Sequence, residues 1–164
     1  MFELKIDPGK ISLAHLLQAH LESFQLSLDE SAIPAIEASN ESVVSVLAAG
    51  KVVYGINTGF GLLANTRIAP EQLELLQKSI VLSHAAGTGK LMNDNVVRLM
   101  MVLKINSLAR GFSGIRPVLL DMLMAMVNAG IYPCVPEKGS VGASGDLAPP
   151  VSYTHLTLPT TLSV

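Results

Sequence analysis

A chain of 164 residues that is 49% hydrophobic, 15% charged and carries a net charge of −2 is neither a disordered tail nor a nucleic-acid binder, since its eleven basic residues are scattered. One ordinary core is the expectation for this length. Mean hydropathy is high at +0.47, yet Asp121 interrupts the longest apolar candidate, "VLLDMLMAMV", which excludes a membrane span of 18 or more apolar residues and points to helices buried in something larger. The lone Cys134 permits no intrachain disulfide and fits a reducing compartment. "MFELKIDPGK" has acids where a secretory signal needs a basic region followed by an apolar run, so the location expected is cytoplasmic.

In chain order, "FELKID" alternates as a short strand does, Pro8-Gly9 makes a turn, and Ser12 caps a helix expected to run to about Ser23. Asp29 caps a second helix reaching toward Gly50, with Pro34 confined to its first turn. "KVVYGINTGFG" is a β-branched, strand-like run that opens into a glycine-bearing loop. Pro70 suits a first helical position, after which Leu73, Leu76 and Ile80 recur at helical spacing toward His84. Residues 94–110, "DNVVRLMMVLKINSLAR", are apolar almost all round and predict a buried central helix. Gly111 and Gly114 bound a break, and "IRPVLLDMLMAMVNAG" predicts a helix closed by Gly130. The expected class is mainly α with short β segments.

Chemistry then falls to the loops. "GSVGASGDLAPP", residues 139–150, packs three glycines and two serines into a dozen positions. Such a cluster is most simply a turn, or an anion cradle of exposed N–H groups. It lacks the Gly-Lys-Ser/Thr ending of a phosphate loop and the Gly-x-Gly-x-x-Gly spacing of a dinucleotide site. A third reading follows from the order Ala143-Ser144-Gly145. An unhindered glycine nitrogen can attack the carbonyl two residues back where the fold bends the chain tightly, and the serine between them can lose water to become a dehydroalanine.

"GSVGASGDLAP" resembles the signature of the histidine and aromatic amino-acid ammonia-lyases. "YGINTGFG" at 54–61, "IVLSHAAG" at 80–87 and "LKINSLARGFSGIR" at 103–116 resemble the same family in the same order, and together the likeness covers the chain from about Phe2 to Pro149. It is closest to the histidine-specific branch. The resemblance implies that Ala143, Ser144 and Gly145 lose two waters to form 4-methylidene-imidazol-5-one, an electrophile toward the substrate amine, with no metal or nucleotide required. It implies elimination of ammonia from L-histidine to give trans-urocanate, the first step of histidine degradation. Tyr54 matches the catalytic tyrosine, the base that removes the weakly acidic β-proton, a task for which an unperturbed tyrosine is poorly suited at neutral pH. The resemblance implies that His84 faces the substrate side chain. An imidazole there can hydrogen-bond an imidazole or a phenol, favouring histidine or tyrosine over phenylalanine.

Outside the motif, Tyr54 would read as a packing residue and His84 as a core or capping group. Asn57, Thr58 and the glycines near Phe60, Gly61 among them, are expected to shape the loop that holds Tyr54. Asp146 is expected to cap the helix that follows the triad or to steady the ring. Arg110, Arg116 and Asn106 read as buried pairing and packing groups, and Cys134, Met100 and Met101 as core fillers.

The end departs from the family. After "GDLAP" the family continues into a long buried helix, whereas "VSYTHLTLPTTLSV" has β-branched residues, Pro159 and no helical period. Residues 151–160 are what a transposase-type sequencing adapter encodes when translated, and Pro150 fits a codon with one native base. The expected division is therefore residues 1–149 as the N-terminal portion of an ammonia-lyase domain and 150–164 as a non-native tail, which leaves His155 and Tyr153 without a role. Family members are larger homotetramers with sites built from several subunits, so this chain stops before the central helical bundle and is expected to be inactive alone. Tyrosine ammonia-lyase or an aminomutase of the same family is the close alternative. A non-covalent small-molecule or anion module and a noncatalytic structural fragment are the more distant ones.

Overall fold

A computed structural model describes residues 2–53, 57–58, 68–69, 71–72, 75–76, 78–79 and 87–139. The chain divides into two compact units, one of residues 1–41 and 91–134, the other of residues 42–90 and 135–164. In order, strand β1 (Phe2–Ile6), helix α1 (Leu13–Leu21), strand β2 (Phe24–Leu28), a 3₁₀ turn (Glu30–Ala32) and helix α2 (Ile33–Ala48) come first. Strand β3 (Thr88–Leu91), helix α3 (Asp94–Leu108), helix α4 (Pro117–Asn128) and strand β4 (Pro136–Lys138) follow. The expected mainly helical class with short β segments holds.

The first unit is built on a parallel strand pair. β1 and β2 run side by side with Phe2 opposite Phe24, Leu4 opposite Leu26 and Ile6 opposite Leu28. Parallel strands need a crossover, and α1 supplies it. Alternation turns Leu4, Ile6, Phe24 and Leu26 into the core, where α4 packs on β2 and α3 packs on α1 and α4, burying Val97, Met101, Ile105, Leu120 and Leu123. The rings of Phe2 and Phe24 lie tilted with centroids 5.7 Å apart.

Side chains distant in sequence complete the backbone bonding of this pair. The Asn128 amide, at the end of α4, behaves as a substitute strand: its Oδ1 accepts from the Leu26 N–H at 2.7 Å and its Nδ2 donates to the Leu26 carbonyl at 2.9 Å. Arg98 of α3 donates through Nη2 to the carbonyls of Ala19 and His20 at 2.6 and 3.0 Å, capping the last turn of α1. Its guanidinium also stands 5.3 Å from the centre of the Phe24 ring, a cation-π contact. Asn106 accepts from the Gly9 N–H at 2.9 Å.

Helix boundaries follow local chemistry. Ser12 Oγ accepts from the His15 N–H at 3.2 Å, so the expected cap is present, and α1 ends at Leu21, two residues short of expectation. Asp29 caps the 3₁₀ turn that leads into α2, accepting from the Ser31 N–H at 2.9 Å and from Ser31 Oγ at 2.6 Å. Pro117 opens α4, and Gly130, at φ +67°, closes it with the paired bonds of a Schellman turn, Gly130 N–H to Val127 and Ile131 N–H to Met126. Gly111 is constrained twice. Its φ is +76°, and a Cβ there would stand 2.7 Å from the carbonyl oxygen of Ala35 in α2.

Several expectations need correction. The run 51–53 forms no strand; its Lys51 carbonyl and Val53 N–H go to a side chain described below. α3 buries one face, Val97, Met101, Val102 and Ile105, while Val96 and Leu103 on its other sides are exposed. Cys134 and Arg110 are exposed rather than buried, the guanidinium of Arg110 lying 5.4 Å from the exposed ring of Phe112. Asn106 and Arg116 are half-buried. Of the helix expected after Pro70, residues 71–72, 75–76 and 78–79 are helical.

Two outcomes follow. Gly111→Ala should lower thermal stability by more than Gly130→Ala, measured by circular-dichroism melting. Both force a side chain into the left-handed region, at about 1–2 kcal/mol, but a Cβ at 130 meets nothing within 4 Å whereas one at 111 strikes α2. Ser31, foremost, and then Lys5, whose Nζ lies 3.1 Å away, hold the Asp29 carboxyl well below the usual carboxylate range. A depressed folded pKa stabilises the fold above the unfolded value, roughly 3.9, and that contribution is lost as pH falls below it. Asp29→Asn should therefore flatten the fall of melting temperature below about pH 4; an unchanged slope would exclude this role.

Candidate functional site

Among the expected site residues, Asn57 lies within the described part of the chain. Tyr54, Gly61, His84, Ala143, Ser144, Gly145 and Asp146 lie outside it. The site is therefore built upward from Asn57 and the backbone around it.

Asn57 is 3% exposed and uses each kind of hydrogen-bonding group it has. Its Oδ1 accepts from the Val53 N–H at 2.9 Å and its Nδ2 donates to the Lys51 carbonyl at 2.7 Å. Its own N–H donates to the Val53 carbonyl at 3.2 Å, and its carbonyl accepts from the Ile68 N–H at 2.9 Å. The orientation of the amide is not arbitrary, because a backbone N–H can only donate and a carbonyl can only accept. Together these bonds explain why 51–53 is not a strand. The Val53 N–H and the Lys51 carbonyl, which a sheet ladder would use, are taken by one side chain four to six residues away, an Asx-type alternative to regular structure. Support for the loop, expected of Asn57, has here a definite form: both ends of the segment 53–57 are tied together.

Thr58 is 1% exposed, and its hydroxyl has no hydrogen-bond partner among the described residues. Composition offers no signal for either finding. The signal available in sequence was an Asn three residues after a Tyr in a glycine-bearing loop, and it could not say that the partners of the amide would be Lys51 and Val53.

Among the described residues the remaining surface offers little competing chemistry. In the first unit, Asp7, Lys10, Ala35, Arg110 and Phe112 border an open groove of about 340 Å³. Lys10 is already paired there with Asp7 at 2.9 Å. Among the described residues no cluster of three or more His, Cys, Asp or Glu is placed to hold a metal ion, and no helix is long and apolar enough to cross a membrane.

The family model described as aromatic amino acid lyase matches residues 11–161. Histidine ammonia-lyase of Psychromonas ingrahamii is 66% identical over 149 residues, 91% of this chain and 29% of that protein. Histidine ammonia-lyase of Shewanella pealeana is 61% identical over 159 residues, 97% of this chain and 31% of that protein. The crystal structure of histidine ammonia-lyase from Trypanosoma cruzi superposes with a TM-score of 0.79 at 32% identity, over 93% of this chain and 28% of that one. The chain thus spans about three-tenths of the length of the curated relatives it matches. With the family model covering nearly all of it and the N-terminal part of the fold reproduced, the chain belongs to the aromatic amino acid lyase family.

Proposed function

We propose that the complete polypeptide to which this chain belongs eliminates ammonia from L-histidine to give trans-urocanate. The observation that carries this reading is the 66% identity to a histidine ammonia-lyase across 149 residues, a stretch in which this chain carries Ala143-Ser144-Gly145, Tyr54 and His84. The residue types fit the prosthetic group of the family. Attack of the Gly145 nitrogen on the Ala143 carbonyl and loss of the Ser144 hydroxyl would each expel one water. The resulting 4-methylidene-imidazol-5-one supplies an electrophile for the substrate amine.

In this reading the chain's own side chains do the rest. Tyr54 removes the β-proton as the tyrosinate, so that proton loss and departure of the amine are coupled. His84 offers one imidazole nitrogen to the substrate side chain and sets specificity, because a polar group left unpaired by an apolar substrate costs affinity. Asn57, Gly61 and Asp146 support the loops that carry these groups. The small-molecule partner is L-histidine, the assembly a homotetramer and the location cytoplasmic. Alone, the 164-residue chain lacks most of the enzyme and is inactive.

Residues 1–149 are the enzyme's N-terminal portion in this reading, and 150–164 are foreign. Agreement with an adapter from Val151 to Thr160 supports the foreign tail, whereas the family match running through residue 161 weighs against it. Sequencing independent DNA across the junction decides: an uninterrupted frame encoding this tail would refute it.

A full-length chimera, residues 1–149 joined to the remainder of the Psychromonas ingrahamii relative, tests the chemistry. The peptide spanning 139–149 should weigh two waters less than its sequence requires. Ser144→Ala should abolish that deficit and the activity while leaving the melting curve nearly unchanged, and full activity in that variant would remove Ser144 from the reaction. Urocanate formation should exceed turnover of tyrosine; a preference for tyrosine would instead assign the chain to the tyrosine ammonia-lyase or aminomutase branch.

A further inference from the structure

We infer that Asn57 is a positioning residue for Tyr54, setting the direction in which the backbone enters that tyrosine. The inference rests on the reading of Tyr54 as the base.

Three bonds converge on the residues immediately before Tyr54. The side-chain amide of Asn57 holds the Lys51 carbonyl and the Val53 N–H, and its backbone N–H holds the Val53 carbonyl. The last of these matters most, because the Val53 carbonyl shares one planar peptide unit with the nitrogen of Tyr54. Fixing the Val53 N–H and carbonyl together restrains both dihedrals of Val53, and so the plane on which the Tyr54 Cα is carried. The fourth bond, from the Ile68 N–H to the Asn57 carbonyl, anchors the holder itself. Asn57 and Thr58 are 3% and 1% exposed, so solvent is poorly placed to replace a lost bond.

A structural role alone would be satisfied by any residue that closes the turn. Positioning is more demanding, since a general base must stand within hydrogen-bond reach of the proton it takes, and a displacement of about 1 Å can cost on the order of 10²-fold in rate. The amide is matched to two partners of opposite polarity. Aspartate would keep the bond from Val53 and set a carboxylate oxygen against the Lys51 carbonyl. Alanine would keep neither side-chain bond, leaving only the backbone contact.

The test compares Asn57→Ala and Asn57→Asp in the full-length chimera, each in the Tyr54 and the Tyr54→Phe background. In the Tyr54 background, Asn57→Ala should lower kcat on the order of 10²-fold with KM little changed and the two-water mass deficit of residues 139–149 intact, and Asn57→Asp should fall between. In the Tyr54→Phe background, neither substitution should lower the residual kcat further, because the group being positioned is gone. Equal fractional losses in both backgrounds, disappearance of the mass deficit, or an unchanged kcat would each overturn the inference. Should the alanine variant not fold, the aspartate variant carries the same comparison. Full activity of Tyr54→Phe by itself would remove Tyr54 as the base, an outcome separable from the others because it appears without any change at position 57.

Discussion

Two parallel strands of five residues cannot satisfy their own backbones, and the first unit is organised around that deficit. β1 covers one edge of β2, and among the described residues no further strand covers the other. Asn128 meets the need from the end of α4 by offering the Leu26 N–H and carbonyl an acceptor and a donor in one planar amide. Arg98 does the same for the end of α1, whose last carbonyls would otherwise lack partners. These contacts tie α1, α3 and α4 to the strand pair at defined points, and apolar burial fills the space between them. Hydrogen bonds to buried backbone contribute modestly when made, but each group left unpaired costs about 1–3 kcal/mol, so their chief effect is to make one arrangement acceptable.

The same device recurs in the second unit at the residue closest to the expected chemistry. Asn57 replaces a strand neighbour for residues 51–53, as Asn128 does for Leu26. Neutral amides suit both places. They present donor and acceptor side by side and bring no charge that would have to be desolvated. Leaving 51–53 out of a ladder also frees that segment from the register a sheet would impose, which is useful where a loop must hold a reactive side chain rather than a packing one.

What could be read in the sequence was what is local. The Ser12 cap and the closure of α4 at Gly130 each depend on a residue and its near neighbours, and each stands where expected. β2 gave no comparable signal: "FQLSL" is only five residues, squeezed between the end of α1 and the Asp29 cap, and its partner precedes α1 in the chain. The exposure of Cys134 and of Arg110 was likewise illegible, since composition says what a side chain prefers and not which neighbours reach it. At the site, the motif marked Asn57 as a supporting residue, but its partners are backbone groups, which look the same at every position of a sequence. The family itself was legible because several of its motifs stand in the same order along the chain, a coincidence that composition alone does not produce.

The bond between Asn128 and Leu26 joins residues 102 apart. During synthesis from the N-terminus, β1, α1 and β2 leave the ribosome long before the residue that completes their edge. At 5–20 residues per second the strand pair must wait roughly 5–20 s for α4 to arrive. Throughout that interval it presents an open strand edge and an uncovered apolar face, the features that invite pairing with another chain. The length of that exposure is set by the distance along the message between Leu26 and Asn128.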